Sequence, residues 1–284
     1  MSNIAFIGTG TMGGPLAGHL MAAGHTLSVH ARTPSRAQGL VERGARWAAT
    51  AAEAVRDAEV VFTMVGGPRD VEGLYFGEIL DAAPHGALLI DMTTSSPRLA
   101  QRLHEAAATH GHQALDAPVT GGPQGAQAGA LIVMVGGEAD ALQRARPLLD
   151  TFSRTVLHYG PAGNGQRAKL VNQCVAMQNM ISAIEGLFFA RRAGLDTDQM
   201  LQMLQAGLTD SKSLHGLAPL ALRGEFPPNF HPVHVVKDLT LALEEADALG
   251  IDLPGLRNAH ARWTQLVERF PEAKAVHEVA RLYL

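Results

Sequence analysis

Three groups of residues have the types and spacing to do chemistry. The first is Gly8-Thr9-Gly10-Thr11-Met12-Gly13, which directly follows the apolar run Ile4-Ala5-Phe6-Ile7 and opens a stretch with helical character. It is a Gly-x-Gly-x-x-Gly pattern between a strand and a helix. There the first glycine makes the turn, the second admits a pyrophosphate against the backbone, and the third lets helix and strand pack closely. The helix N-terminus adds unpaired N–H groups and a partial positive charge. A dinucleotide is the ligand this arrangement suits, held by Gly8, Gly10, Thr11, Met12 and Gly13. The end of the next strand reads His30-Ala31-Arg32-Thr33-Pro34-Ser35-Arg36, with no acid in reach to hold ribose hydroxyls as an NAD site usually does. A guanidinium at Arg32 suits a 2′-phosphate, and Thr33 and Ser35 offer hydroxyls beside it. The expected cofactor is therefore NADP(H), with NAD(H) the weaker alternative.

The second group is Asp116-Ala117-Pro118-Val119-Thr120-Gly121-Gly122-Pro123, followed by Gly125, Gly129 and Gly136-Gly137. Bare N–H groups at Gly121 and Gly122, next to the hydroxyl of Thr120, suit a carboxylate, although spacing alone fits a turn of small residues equally well. The third is Gly163-Asn164-Gly165-Gln166-Arg167-Ala168-Lys169-Leu170-Val171-Asn172-Gln173. Lys169, Asn172 and Gln173 stand at i, i+3 and i+4 and so share one helix face, an ammonium beside two amides that suits a polarised carbonyl. On spacing alone, a solvated helix face is the commoner explanation.

Short, β-branched apolar runs must position these groups in the first half of the chain. They are Ile4–Ile7, Thr26–Val29, Val60–Val65, Ala87–Ile90, Gln113–Leu115, Leu131–Val135 and Thr155–His158. Their lack of polar alternation predicts strands buried on both faces. Helical stretches lie between them: Met12–Ala23 before Gly24, Pro34–Arg43 before Gly44, and Pro97–His110 before Gly111. Proline near the start and glycine just past the end is helix punctuation. Strand and helix in alternation predict an α/β class with a mostly parallel, doubly wound Rossmann sheet.

From about Gly163 the strand-like runs stop. Leu170, Cys174, Met177, Ile181, Ile184 and Phe188 form an apolar stripe that predicts one helix of roughly 25 residues, ~37 Å at 1.5 Å per residue. Such a helix bridges two lobes or a subunit interface, so a homo-oligomer, a dimer or a dimer of dimers, is expected, although a monomer could bury the same stripe internally. A second helix is expected over Pro232–Leu249, with Val236, Leu239, Leu243, Ala246 and Leu249 on one side. The expected domains are 1–162, the sheet domain, and 163–284, all helical.

Composition narrows the function classes. The 284 residues include 46% hydrophobic and 18% charged residues, enough apolar surface for a packed core. A net charge of −4 gives no basic footprint for nucleic acid or an anionic membrane surface. No run approaches the ~20 apolar residues of a spanning helix. The single Cys174 forms no intramolecular disulfide, and with no leader-like N-terminus the expected compartment is the cytoplasm. Among thirteen histidines, the His231/His234 and His110/His112 pairs have no cysteine partner and no HExxH-like acid, so no metal site is expected.

The run Phe6-Ile7-Gly8-Thr9-Gly10-Thr11-Met12-Gly13-Gly14-Pro15-Leu16-Ala17 resembles the N-terminal signature of the β-hydroxyacid dehydrogenase family, which includes 3-hydroxyisobutyrate dehydrogenase and tartronate, succinic and glyoxylate semialdehyde reductases. Asp116–Gly122 with Gly125 and Gly129 resembles its substrate motif, Gly165–Gln173 its catalytic-lysine motif, and Lys237-Asp238-Leu239 its late cofactor-side motif. The four motifs follow the family's order and cover nearly the whole chain. The resemblance implies that Lys169 is catalytic and that Thr120, Gly121, Gly122 and Asn172 hold a carboxylate-bearing substrate. It also implies that Thr94 contacts the nicotinamide ribose and that Lys237 closes over the cofactor. Val65 and Gly66 are expected cofactor contacts, but the chain departs from the family at Gly66-Gly67-Pro68, where a Leu-Pro pair usually stands, at Gln173, often Asn, and at Phe270–Val276, usually a Gly-rich, Asp-containing segment. The implied activity is interconversion of a small β-hydroxy acid and its semialdehyde. The rivals are an imine reductase, which would lack the lysine, and a non-catalytic nucleotide-binding protein of the same fold.

Overall fold

The computed structural model describes all 284 residues and divides by contact into two compact units, Met1–Lys169 and Leu170–Leu284. The first unit is built on nine strands: β1 (Asn3–Ile7), β2 (Thr26–His30), β3 (Arg46–Trp47), β4 (Val60–Thr63), β5 (Leu88–Asp91), β6 (Gln113–Asp116), β7 (Val119–Thr120), β8 (Leu131–Gly137) and β9 (Ser153–His158). Their order is β3-β2-β1-β4-β5-β6-β8-β7, with β9 also paired to β8. From β3 to β6 all pairs are parallel; β8 runs antiparallel to β6 and β7 and parallel to β9.

The unbroken apolar runs have a direct structural cause. Successive strand residues point to opposite faces, so a strand covered by helices on both sides needs apolar residues at every position. Ile4 and Phe6 of β1 join one core with Val60, Phe62, Leu88 and Ile90, while Ala5 and Ile7 join the opposite core with Val61 and Leu89. The helices of this unit are α1 (Gly13–Ala22), α2 (Gln38–Val41), α3 (Ala51–Val55), α4 (Pro68–Leu74), α5 (Leu80–Ala82), α6 (Pro97–Thr109), α7 (Gly122–Gln127) and α8 (Ala139–Leu149), with a π turn at Tyr75–Ile79 between α4 and α5. The expected Pro34–Arg43 helix is instead a 3-10 turn, Pro34–Arg36, followed by the one-turn α2. Only Ala37 and Leu40 are buried there, and Gly39 interrupts the segment, so no apolar stripe holds a longer helix in place.

The long helix α9 runs over Asn164–Arg192, 29 residues, and is followed by α10 (Thr197–Ala206), α11 (Lys212–His215), α12 (Leu217–Arg223), α13 (Pro232–Ala248) and α14 (Pro254–Arg269). The contact division falls between Lys169 and Leu170, inside α9, rather than at the expected 162/163 boundary. The reason is local: the first turn of α9 is hydrogen bonded to the sheet unit through Asp116. In the second unit Leu170, Met177, Ile181, Ile184 and Phe188 bury the expected stripe against Leu239, Trp263, Leu266 and Val279. Leu249, expected on the buried side of its helix, is 59% exposed, because α13 ends at Ala248 and its buried side turns instead through Val235, Leu239, Ala242 and Ala246.

Candidate active site

Strand order reverses between β1 and β4, and in an open parallel sheet ligands bind beyond the carboxyl ends of the strands at such a switch. The glycine turn sits there. Gly8 has φ +97° and donates its N–H to the His30 carbonyl at 2.8 Å. A Cβ at Gly8 would overlap the Met64 carbonyl, and one at Gly13 would overlap the Gly8 carbonyl and come within 2.9 Å of the Phe6 ring. Turn, strand and helix therefore close only with glycine at both positions. Above Gly10 the nearest group is the Arg36 guanidinium, 3.4 Å from where a Cβ would stand. Thr9 is buried in the turn with an Oγ1 that has no hydrogen-bond partner. Glycine-bared backbone, a cation over Gly10 and an unsatisfied hydroxyl together fit a pyrophosphate at this turn, with Thr11 and Met12 leading into α1.

Arg32 and Thr33 lie exposed at the end of β2. An acid is nevertheless in reach of Arg32: Nη1 donates to Asp70 Oδ1 at 3.2 Å. It comes from the first turn of α4, 38 positions along the chain, which is why the local sequence does not reveal it. Gly66 lies under this pair, since a Cβ there would overlap Asp70 Oδ2 and stand 3.6 Å from Arg32 Nη2. The Gly-Gly-Pro departure thus makes room for the ion pair.

Beyond β5, Asp91 organises the next loop. Its Oδ1 accepts from Thr63 Oγ1 at 2.8 Å and from the Thr93 N–H at 3.0 Å, while Thr93 Oγ1 accepts from the Val65 N–H at 3.0 Å. Val65 and the Thr93-Thr94-Ser95 loop are thereby fixed to one another. Burial pushes the Asp91 carboxyl up to about 6, opposed by the Thr93 and Thr63 hydrogen bonds and reinforced by the charge of Asp116.

Asp116, at the end of β6, accepts the N–H of Gly163 on Oδ1 and the N–H of Gln166 on Oδ2, each at 2.7 Å. It caps α9 with a side chain from the neighbouring sheet. Gly165 permits this approach, because a Cβ there would meet oxygens of Asp116 and Met134. Burial pushes the Asp116 carboxyl up to about 6 against the pull of these backbone donors. Gln166, fully buried, accepts the Ser95 N–H on Oε1 and donates from Nε2 to the Thr93 carbonyl, both at 2.8 Å. Lys169 follows one turn later and is 7% exposed. Thr120 ends β7, and Gly121 and Gly122, with φ +133° and +65°, lead into α7.

Asn172 and Lys237 belong to the second unit, where a hydrogen-bonded chain joins them. Asn172 Nδ2 donates to Gln173 Oε1 at 3.0 Å, Gln173 Nε2 donates to Asp238 Oδ2 at 2.7 Å, and Lys237 Nζ pairs with Asp238 Oδ1 at 2.9 Å. Gln173, a departure by sequence, is the residue long enough to close this chain to a fully buried Asp238. Arg36, Asp70 and Gln166 are the site residues that sequence reasoning missed. Only Gln166 carried a local signal, its place between Gly165 and Lys169.

Residues 3–160 match the NAD-binding domain of 6-phosphogluconate dehydrogenase, and residues 163–283 match the NAD-binding domain of NADP-dependent 3-hydroxyisobutyrate dehydrogenase. The chain belongs to the β-hydroxyacid dehydrogenase family. It is 40% identical over 283 residues to an uncharacterized oxidoreductase, YkwC, of Bacillus subtilis, covering 99% of this chain and 98% of that protein. It is 37% identical to 3-hydroxyisobutyrate dehydrogenase of Pseudomonas aeruginosa, covering 98% and 95%. The solved structure of Mycobacterium tuberculosis 3-hydroxyisobutyrate dehydrogenase with L-serine superposes with a TM-score of 0.92 at 32% identity, covering 99% of each chain. As a β-hydroxyacid dehydrogenase, the protein is an oxidoreductase acting on hydroxyl groups with a nicotinamide cofactor. No helix is long and apolar enough to cross a membrane.

Proposed function

We propose that this dehydrogenase prefers NADP(H) and interconverts a small β-hydroxy acid with its semialdehyde, of the 2-hydroxy-3-oxopropionate, 3-hydroxyisobutyrate or short semialdehyde type. The observation that carries this reading is a buried lysine, Lys169, one turn past a helix start tied to the end of β6 and to the loop beyond β5. The nicotinamide, when bound, supplies or accepts a hydride at the substrate carbon. In reduction, protonated Lys169 gives a proton to the carbonyl oxygen as negative charge develops there; in oxidation, the neutral amine takes the hydroxyl proton. Asn172 orients that oxygen. Thr120, Gly121 and Gly122 anchor the substrate carboxylate and so set the reacting carbon's distance.

On the cofactor side, Gly8, Gly10, Thr11, Met12 and Gly13 receive the pyrophosphate, Arg32 and Thr33 the 2′-phosphate, and Val65, Gly66, Thr94 and Lys237 the remainder. Support for NADP(H) comes from Arg32 at the end of β2. We read the protein as cytoplasmic, a reading supported by its single free Cys174, and as homo-oligomeric, supported by Val171, Val175 and Phe189, which stand 64%, 55% and 74% exposed on α9. The test is single-turnover oxidation of NADPH with a panel of semialdehydes bearing a carboxylate. Turnover on at least one acid, with NADPH favoured over NADH, is expected; binding of NADPH without turnover on any of them overturns the reading.

A further inference from the structure

Three side chains tie the first turn of α9 to the sheet unit, Asp116, Gln166 and Asn164, whose Nδ2 donates to the Tyr159 carbonyl at 2.8 Å, and they do different work. Asp116 holds backbone N–H groups at the helix's N-terminal end. The Asp116 and Asn164 bonds seat the helix end. Gln166 adds a restraint on the side of the helix that faces the Thr93-Thr94-Ser95 loop. Its fully buried amide presents one acceptor to the Ser95 N–H and one donor to the Thr93 carbonyl, as a neighbouring strand would. The Thr93 end of this loop is itself fixed by Asp91 and carries Val65 through the Thr93 hydroxyl. Lys169 is at i+3 from Gln166, on the same side of the helix one turn on.

We propose that Gln166 is a positioning residue that sets the rotation of the first turn of α9, and so the aim of the Lys169 ammonium relative to the Thr93-Thr94-Ser95 loop. This rests on the reading above, in which Lys169 moves the proton and Thr94 meets the nicotinamide ribose. A misplacement of about 1 Å in such a group costs on the order of a hundred-fold in rate without weakening binding in proportion.

Two near-isosteric variants separate this from a merely structural role. Gln166→Leu removes both bonds: kcat is expected to fall at least ~ten-fold, while NADPH affinity by fluorescence titration changes by less than about three-fold. Gln166→Glu keeps the acceptor but, when ionised, sets an anionic oxygen against the Thr93 carbonyl; protonated, it reproduces the amide's donor and acceptor. Its activity relative to wild type at the same pH is therefore expected to rise as pH falls from 8 to 6. The ratio removes the pH dependence common to both proteins; Asp91 and Asp116 lie close enough to couple to the introduced carboxylate, so a substrate-free readout accompanies it. A flat ratio, or a Leu variant whose kcat stays within about two-fold of wild type or falls only in step with NADPH affinity, overturns the proposal. If the Leu variant does not fold, the Glu variant decides alone. Hydrogen exchange at the Ser95 amide needs no substrate and remains decisive if no semialdehyde turns over. The amide is expected to be protected in wild type and to exchange faster in the Leu variant, which removes its acceptor, and equal protection in the two overturns the inference.

Discussion

Arg32 Nη1 donates to Asp70 Oδ1 across 3.2 Å, joining the loop that follows β2 to the first turn of α4. The Arg32 side chain is 82% exposed, so the attraction is screened and a ligand phosphate competes with it readily. In the proposed NADP(H) site, Asp70 would lower the affinity of this corner for a 2′-phosphate without abolishing it. Asp70→Asn is expected to raise the NADPH-to-NADH ratio of kcat/KM by about three-fold or more, and Arg32→Ala to lower it by about ten-fold. Steady-state kinetics with both cofactors checks this. A ratio unmoved by either substitution places the 2′-phosphate elsewhere.

Asp116 makes stability depend on pH. Its carboxyl rises from 3.8 in the unfolded chain to about 6 in the fold, so the proton is held more tightly in the native state. That contribution is fully present below about pH 4 and is lost as pH rises through 6. Relative to Asp116→Asn, which does not titrate, the wild type is expected to lose up to roughly 3 kcal/mol between pH 4 and pH 7.5. Urea unfolding of both proteins at the two pH values measures it, and a pH-independent difference contradicts the assignment.

Gln173 leaves a buried acceptor unpaired if it is cut back. Gln173→Leu removes the 2.7 Å bond to Asp238 and is expected to cost about 1–3 kcal/mol, read as a lower unfolding temperature. An unchanged melting curve would mean that the Lys237 ion pair alone satisfies Asp238.

Gly13 tests the cofactor turn. Gly13→Val drives a branched side chain into the Gly8 carbonyl and the Phe6 ring, so the turn must open. NADPH binding, followed by nicotinamide fluorescence, is expected to be lost while circular dichroism stays helical. Retained binding would separate the cofactor from this turn.

The sequence carries the sheet clearly because each central strand is buried twice, as Ala5 and Phe6 show by facing opposite cores. The glycine turn and the long helix were legible for similar reasons: Gly8 and Gly13 meet backbone that tolerates no Cβ, and Leu170 to Phe188 repeat at helical spacing. The short α3 and the Pro147-containing α8 gave no comparable stripe and punctuation, and the segment after Pro34 gave punctuation without a stripe. The site's supporting contacts were hidden by chain separation. Asp70 meets Arg32 across 38 positions, Asp116 meets Gln166 across 50 and Gln173 meets Asp238 across 65, and no local pattern encodes such pairings.

Lys169 carries the central claim. The most direct measurement is single-turnover oxidation of NADPH by Lys169→Ala with the semialdehyde that wild type turns over best. A loss of about 10²–10⁴ in the chemical rate with NADPH affinity retained is predicted. A variant that keeps the full wild-type rate would remove the lysine from proton transfer and contradict the account.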